Sequence, residues 1–261
     1  MTQTPDILVD KRDGLATITL NRPHRLNALG DRTTLQLCEA CEEAIADPEV
    51  RVLTITGAGD AFCAGGDYKD TFAAGFEKSA QQWRERVRKG PNRLVTVLTQ
   101  CEKPVIACVN GTAVGGGTTI ALACDIRIAS DRARFGLAFS KVGVTPEFGC
   151  SYLLPRVIGL GRTMELLFTS ELIDAQEAYR IGLVNRVVPH EQLRETAEAF
   201  ARQLIARPAG SLGVMKSLIH RSLSSDLPAV LEMEAFALSA AMKTQEHQTI
   251  VKTFLARSKG A

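Results

Sequence analysis

Two strand-like runs in this chain end in glycines. RVLTIT (51–56) runs into GAGDAFCAGGD (57–67), and VIACV (105–109) runs into NGTAVGGGTT (110–119). Glycine tolerates backbone angles closed to other residues and lets a ligand or a second backbone come close. Two such loops at neighbouring strand ends could aim backbone N–H groups at one point, which is what holding an oxyanion requires. Strand-to-helix turns that need a positive φ account for the same glycines, and the pattern alone leaves both readings open. A phosphate cradle is not expected, because neither loop carries GK[ST] and no GxGxxG opens a helix after a strand. There is no GxSxG nucleophile elbow, and His24, His190, His220 and His247 are isolated, so triad and zinc chemistry have no support. Cys38 and Cys41 form a CxxC in the acidic stretch LCEACEEA with no second pair, a pattern of helix packing rather than metal binding.

The elements around these loops follow from pattern. Ile7–Lys11 and Leu15–Leu20 flank Asp13-Gly14, a hairpin signature. Asp31–Ala46 has helical spacing of leucines, cysteines and alanines, with Asp31 as candidate N-cap. Lys69 to about Gln100 is expected to be mostly helical, with Asp125–Ala129, Ala133–Gly136 and Leu183–Val188 as strands. Thr163–Phe168 and Ala175–Ile181 are expected as short helices, and from His190 onward the pattern is helical. Val105–Ala129 is the longest apolar stretch, but Asn110, Asp125, Arg127 and the GGGTT run make it two buried strands around a short helix rather than a membrane span. The result is an α/β layered body, residues 1–199, followed by a helical region, 200–261.

Composition bounds the partners. The chain's 261 residues are 45% hydrophobic and 23% charged, ordinary globular usage that argues against disorder. A net charge of +2 calls for no polyanionic partner, so neither nucleic acid nor membrane is expected. Seven scattered cysteines, an odd number lying mostly in apolar runs, fit buried reduced thiols and a cytoplasmic setting. The first ten residues lack the basic and apolar regions of a signal peptide, and the last residues, RSKGA, do not end in SKL.

NRPHRLNAL (21–29), AFCAGGDYKD (61–70), VNGTAVGGG (109–117) and LVNRVVP (183–189), in this order, resemble the crotonase (enoyl-CoA hydratase/isomerase) superfamily over about residues 6–257. The resemblance implies a spiral of ββα units with C-terminal helices that build trimers or hexamers. It implies an acyl-CoA thioester substrate and no cofactor beyond the coenzyme A that the substrate carries. Gly66 and Gly116 match the two oxyanion N–H donors, and Arg25, Ala28, Ala64, Asp67 and Tyr68 fall where the family holds CoA. Two departures matter. The positions of the paired glutamates of family hydratases are Thr119 and Phe139 here, and neither can serve as acid or base. Glu147, in VGVTPEFGCSYLLP (142–155), instead resembles the single catalytic glutamate of Δ3-Δ2-enoyl-CoA isomerases, a place where epoxyphenylacetyl-CoA isomerases carry an aspartate. Thr145-Pro146-Glu147 also makes a good helix start, with Thr as N-cap, Pro at the first position and an acid in the first turn. The resemblance therefore implies an enoyl-CoA isomerase, with a hydratase using an unseen second group or a non-catalytic RNA-binding relative as alternatives. For the latter, RERVRKGPNR (84–93) is the feature to watch, read here as a solvated helix face or a lip over CoA.

Overall fold

The computed structural model describes residues 5–258, without the side chains of Ala74, Arg257 and Ser258. The signal-peptide and C-terminal readings fall partly on residues 1–4 and 259–261, outside the described residues. The chain divides into two compact units, 1–205 and 206–261.

In the first unit, β1 (Ile7–Arg12) and β2 (Leu15–Leu20) pair antiparallel around Asp13-Gly14, both with positive φ, as a two-residue hairpin demands. Helix α1 (Asp31–Ala46) follows. It turns Leu37, Cys38, Cys41 and Ala44 into the core, so the CxxC is packing. Its N-cap is Gly30, with extended backbone, and Asp31 is the first helical residue rather than the cap. Asp31 instead pairs with Lys78 and Arg86.

From here the chain winds as a spiral in which successive turns feed one strand to each of two sheets. β3 (Val52–Gly57) joins the large sheet and β4 (Ala61–Cys63) the small one, before α2 (Ala80–Val87) and α3 (Arg93–Gln100) return the chain. Irregular helical turns at Tyr68–Phe72, Ala73–Gly75 and Arg88–Asn92 interrupt the helix expected over 69–100. β5 (Val105–Val109), β6 (Thr112–Val114) and α4 (Gly116–Ala123) form the next turn. Then come β7 (Ile126–Ser130), β8 (Arg134–Gly136), α5 (Cys150–Ile158) and α6 (Leu160–Thr169). β9 (Leu172–Asp174), α7 (Ala175–Arg180), β10 (Arg186–Val188) and α8 (Leu193–Ile205) complete the unit. The strand expected over 183–188 is only three residues long, because Leu183 and Val184 still donate to the carbonyl of Ala178 as the end of α7.

The large sheet has the order β1-β2-β3-β5-β7-β10 and the small one β4-β6-β8-β9, with all pairs parallel except β1/β2 and β8/β9. Alternate residues of the large sheet face opposite sides. Ile18, Leu53, Ile55, Ala107 and Val109 enter the main core with α1 and α3. Val52, Ile106, Cys108 and Ile128 meet Leu193, Ala197 and Ala201 of α8. The α/β layered body expected from the sequence is this ββα winding, and the fold is the crotonase-like α/β spiral. The seven cysteines form no disulfide among the described residues, and burial pushes the Cys38 thiol up to about 11 and the Cys63 thiol up to about 12. Among the described residues no helix is long and apolar enough to cross a membrane, and no group of three or more His, Cys, Asp and Glu could hold a metal.

The second unit consists of α9 (Ala209–Ser222), α10 (Leu227–Ala241) and α11 (Gln245–Ser258). Asp226 caps α10 by accepting from the Ala229 N–H at 2.9 Å. No residue of α10 is buried, and Leu227, Phe236 and Leu238 are each more than 60% exposed.

Candidate active site

The first glycine loop is held by the segment 22–29. Leu26 and Asn27 take left-handed backbone angles, which turns the Asn27 side chain inward. Its amide donates to the carbonyls of Ala58 (2.9 Å) and Ala61 (2.7 Å) and accepts from the Arg22 N–H at 2.9 Å. Leu29 then bridges Gly66 in parallel: its N–H donates to the Gly65 carbonyl (2.7 Å), and its own carbonyl accepts from the Asp67 N–H (2.9 Å). In a parallel bridge the opposed residue directs its own N–H and C=O away from the partner. The Gly66 N–H is thus turned away from Leu29, free of the bridge.

The second loop docks on the first. Added to Gly117, a Cβ would lie 2.1 Å from the Cys63 carbonyl oxygen; on Gly111, 1.9 Å from that of Asp60. One on Gly65, where φ is +85°, would lie 2.6 Å from the Val114 carbonyl and 3.5 Å from the Gly116 nitrogen. No side chain fits between these backbones, which is the local reason for the glycines. Asn110 ties the loops again, accepting from the Gly57 N–H (3.1 Å) and donating to the Gly59 carbonyl (2.8 Å). Gly116 opens α4, so its N–H is one of the four that a helix leaves unpaired at its positive end.

A cavity of about 450 Å³ contains Gly66, Gly116 and Glu147 together. Its wall includes the rings of Phe72, Trp83, Phe139 and Phe148. Among the residues lining it, Glu147 is the only carboxylic acid and Arg86 the only cation. The helix-start reading of Thr145-Pro146-Glu147 is corrected: α5 begins at Cys150, behind the N-cap Gly149, and Glu147 lies in the irregular segment before it. The cause is the left-handed φ of Phe148 and Gly149, which breaks the helix before it can include Glu147. The Glu147 carboxylate makes no hydrogen bond or ion pair among the described residues. Burial pushes its carboxyl above the ordinary glutamate range, and the charge of Arg86 pulls the other way.

The family model for enoyl-CoA hydratase/isomerase matches residues 10–260. The chain belongs to that family, within the crotonase superfamily. This family member is 36% identical to the crotonyl-CoA hydratase of Syntrophomonas wolfei over 97% of its own length and 96% of that protein's. It is 38% identical to the 1,2-epoxyphenylacetyl-CoA isomerase of Escherichia coli over 96% and 95%. The crystal structure of an enoyl-CoA hydratase from Polaromonas sp. JS666 superposes with a TM-score of 0.90, at 32% identity over 96% of this chain and 97% of that one. The family makes this an acyl-CoA enzyme.

Of the residues assigned to the site from sequence, Gly66, Gly116, Glu147, Ala64 and Tyr68 line the one cavity. Tyr68 is exposed, with its ring tilted against Phe72 at 5.4 Å. Ala28 is buried, and its carbonyl accepts from the Arg22 guanidinium at 2.7 Å. Arg25 and Asp67 are brought together, but with each other, at 2.9 Å. Asp67 is buried and also accepts from the Lys69 and Asp70 N–H groups, which fixes the turn after Gly66. Burial raises its carboxyl, but these bonds and Arg25 outweigh burial and hold it below the usual range. Arg22, Asn27 and Asn110 are site residues that the sequence reading passed over; their signal was a polar side chain beside each glycine loop. The run 84–93 is not one solvated cationic face, because Arg86 turns into the cavity and Arg93 pairs with Glu42.

Proposed function

We propose that this family member is an enoyl-CoA isomerase that moves a 3-enoyl-CoA double bond into conjugation at C2. The observation that carries the reading is one cavity lined by both Gly66 and Gly116 and, among its lining residues, a single carboxylic acid, Glu147. The Gly66 and Gly116 N–H groups receive the thioester oxygen as it gains negative charge, each contributing about 3 kcal/mol in the transition state. That charge makes the C2 proton removable. Glu147 takes it, the dienolate is held at the two donors, and the same acid returns the proton at C4. Hydration asks more: a base for water and an acid for the α-carbon, and two carboxylates supply that pair.

Thr119 and Phe139 occupy the positions of that pair. The Thr119 side chain is fully buried, and its hydroxyl donates to the Gly115 carbonyl at 3.0 Å. Phe139 is a ring of the wall. Thr119→Glu is therefore expected to add no useful hydratase activity, since the opposite position still has no proton to exchange. Loss of conjugated absorbance from crotonyl-CoA at rates near isomerisation would contradict this. The parent test is a substrate pair: 3-hexenoyl-CoA should gain conjugated absorbance, and crotonyl-CoA should lose none. Turnover of crotonyl-CoA alone would overturn the isomerase reading.

No cofactor enters this reaction beyond the coenzyme A of the substrate. The chain assembles as a homotrimer or hexamer through residues 200–257. Supporting this is the apolar surface of α10 and its C-cap, where Leu231 and the capping residue Met242 join the exposed residues named above. Light scattering at micromolar concentration should give three or six times the 28.2 kDa chain mass, and a monodisperse monomer would refute it.

A further inference from the structure

The acyl cavity contains one cation that the proton transfer above does not use. Arg86 projects from α2, a helix fixed at its start by a reciprocal cap: the Ser79 hydroxyl accepts from the Gln82 N–H (3.3 Å), and the Gln82 side chain accepts from the Ser79 N–H (2.8 Å). The guanidinium is well buried, with 13% of its side chain exposed. It donates through Nε to Asp31 of α1, reaches the Thr71 hydroxyl at 3.4 Å, and lies over the Trp83 ring at 5.1 Å. Asp31 is held from its other side by Lys78 at 3.0 Å. Arg84, Glu85, Arg88 and Lys89, its neighbours on the same stretch, do not line the cavity.

We infer that Arg86 is the positioning charge for Glu147: fixed by Asp31 and Trp83 in the same cavity, it keeps the unpaired Glu147 carboxylate in its proton-accepting form. The inference rests on the isomerase reading, in which Glu147 begins the cycle as a base. Burial alone works against that state, and an opposite charge in the same low-dielectric space is what offsets it. The Glu147 carboxyl lies above the ordinary glutamate range because burial raises it, and Arg86 offsets part of that rise. The other titratable groups near Glu147 are Tyr68, from the turn at 68–72, and Cys150, the first residue of α5. The Cys150 thiol is buried and engaged with Thr119, and burial pushes it up to about 11. That leaves the Cys150 thiol uncharged at neutral pH, and among the residues lining the cavity Arg86 is the only cation and Glu147 the only carboxylic acid.

The test is the pH dependence of kcat/KM for 3-hexenoyl-CoA in wild type and four variants. Its acid limb reports the free enzyme's base. Arg86→Met is expected to move that limb to higher pH, with loss on the order of tenfold at the acid end and recovery toward the plateau. Arg86→Lys, which restores the charge, brings the limb most of the way back. Asp31→Asn, which removes the carboxylate that compensates Arg86, moves it the opposite way, to lower pH. A purely structural role would lower the whole profile without moving the limb, and that result in both Arg86→Met and Asp31→Asn overturns the inference while the Glu147 reading stands. Glu147→Gln separates the two: isomerisation that persists in it with the acid limb unchanged removes Glu147 as the base, and the inference with it, whereas failure of the isomerase reading itself shows as no turnover of 3-hexenoyl-CoA by wild type. Should Arg86→Met fail to fold, the Asp31→Asn shift alone decides.

Discussion

Glu147→Gln is expected to lower kcat for isomerisation by at least ~100-fold, the lower range for loss of a general base, while acyl-CoA affinity barely changes. Gln keeps the size of the side chain and removes only its ability to take a proton. The residues that the resemblance assigns to CoA lie on other segments, 25–28 and 64–68, so KM should follow kcat only through chemistry. The stability of the same variant supplies an independent check with a definite sign. A carboxyl whose folded pKa lies above its unfolded value makes the folded state bind more protons, so its ionisation weakens the fold as pH rises. Glu147 is such a group. Glu147→Gln should therefore melt higher than wild type at neutral pH, and the gain should vanish below about pH 4, where the unfolded chain is protonated as well. Activity lost while stability is gained is the pattern of a group kept for chemistry. Near-normal turnover in this variant would remove Glu147 from the mechanism.

Gly65→Ala is expected to cost about 100-fold in kcat, comparable to loss of one oxyanion donor, although residue 65 supplies no donor itself. The new methyl would sit 2.6 Å from the Val114 carbonyl at a φ of +85°. Those backbones must separate, and the Gly66 and Gly116 N–H groups lie on their two sides. A displacement of about 1 Å is enough to ruin such an alignment. Stability should also fall, by about 1–3 kcal/mol, from backbone strain and crowding. Gly159→Ala is the control. It has a similar φ, +80°, nothing within 4 Å of the added Cβ, and a place outside the cavity lining, so it carries the strain without moving the donors. It should lower the melting temperature and leave kcat alone. Equal turnover in the two variants would mean that the oxyanion donors do not depend on this close approach.

How much of this was legible in the chain itself differs from one feature to the next. The Asp13-Gly14 hairpin, the face of α1 and the two buried strands around GGGTT were readable, because each rests on neighbours in sequence whose periodicity or turn chemistry is local. Family membership was readable from four separated motifs, and the absence of the hydratase pair from Thr119 and Phe139. The helix start at Thr145 was misread, although each residue suited it, because the left-handed backbone at Phe148-Gly149 delays the helix. Nor could periodicity say that Arg86 leaves a basic run to enter the acyl cavity, since its partner Asp31 is 55 residues away. The sequence by itself determined which residue types were present for the chemistry: glycines at two strand ends and one candidate acid without a second. Tertiary structure alone decided that they share a cavity. Gly65 and Gly116 lie on separate turns of the spiral, and only the absence of a side chain at Gly65, Gly111 and Gly117 lets the two backbones touch. Close approach of that kind belongs to pairs distant in the chain, and burial of Glu147 beside one cation belongs to the whole enclosure, so neither could be read from any local run of residues.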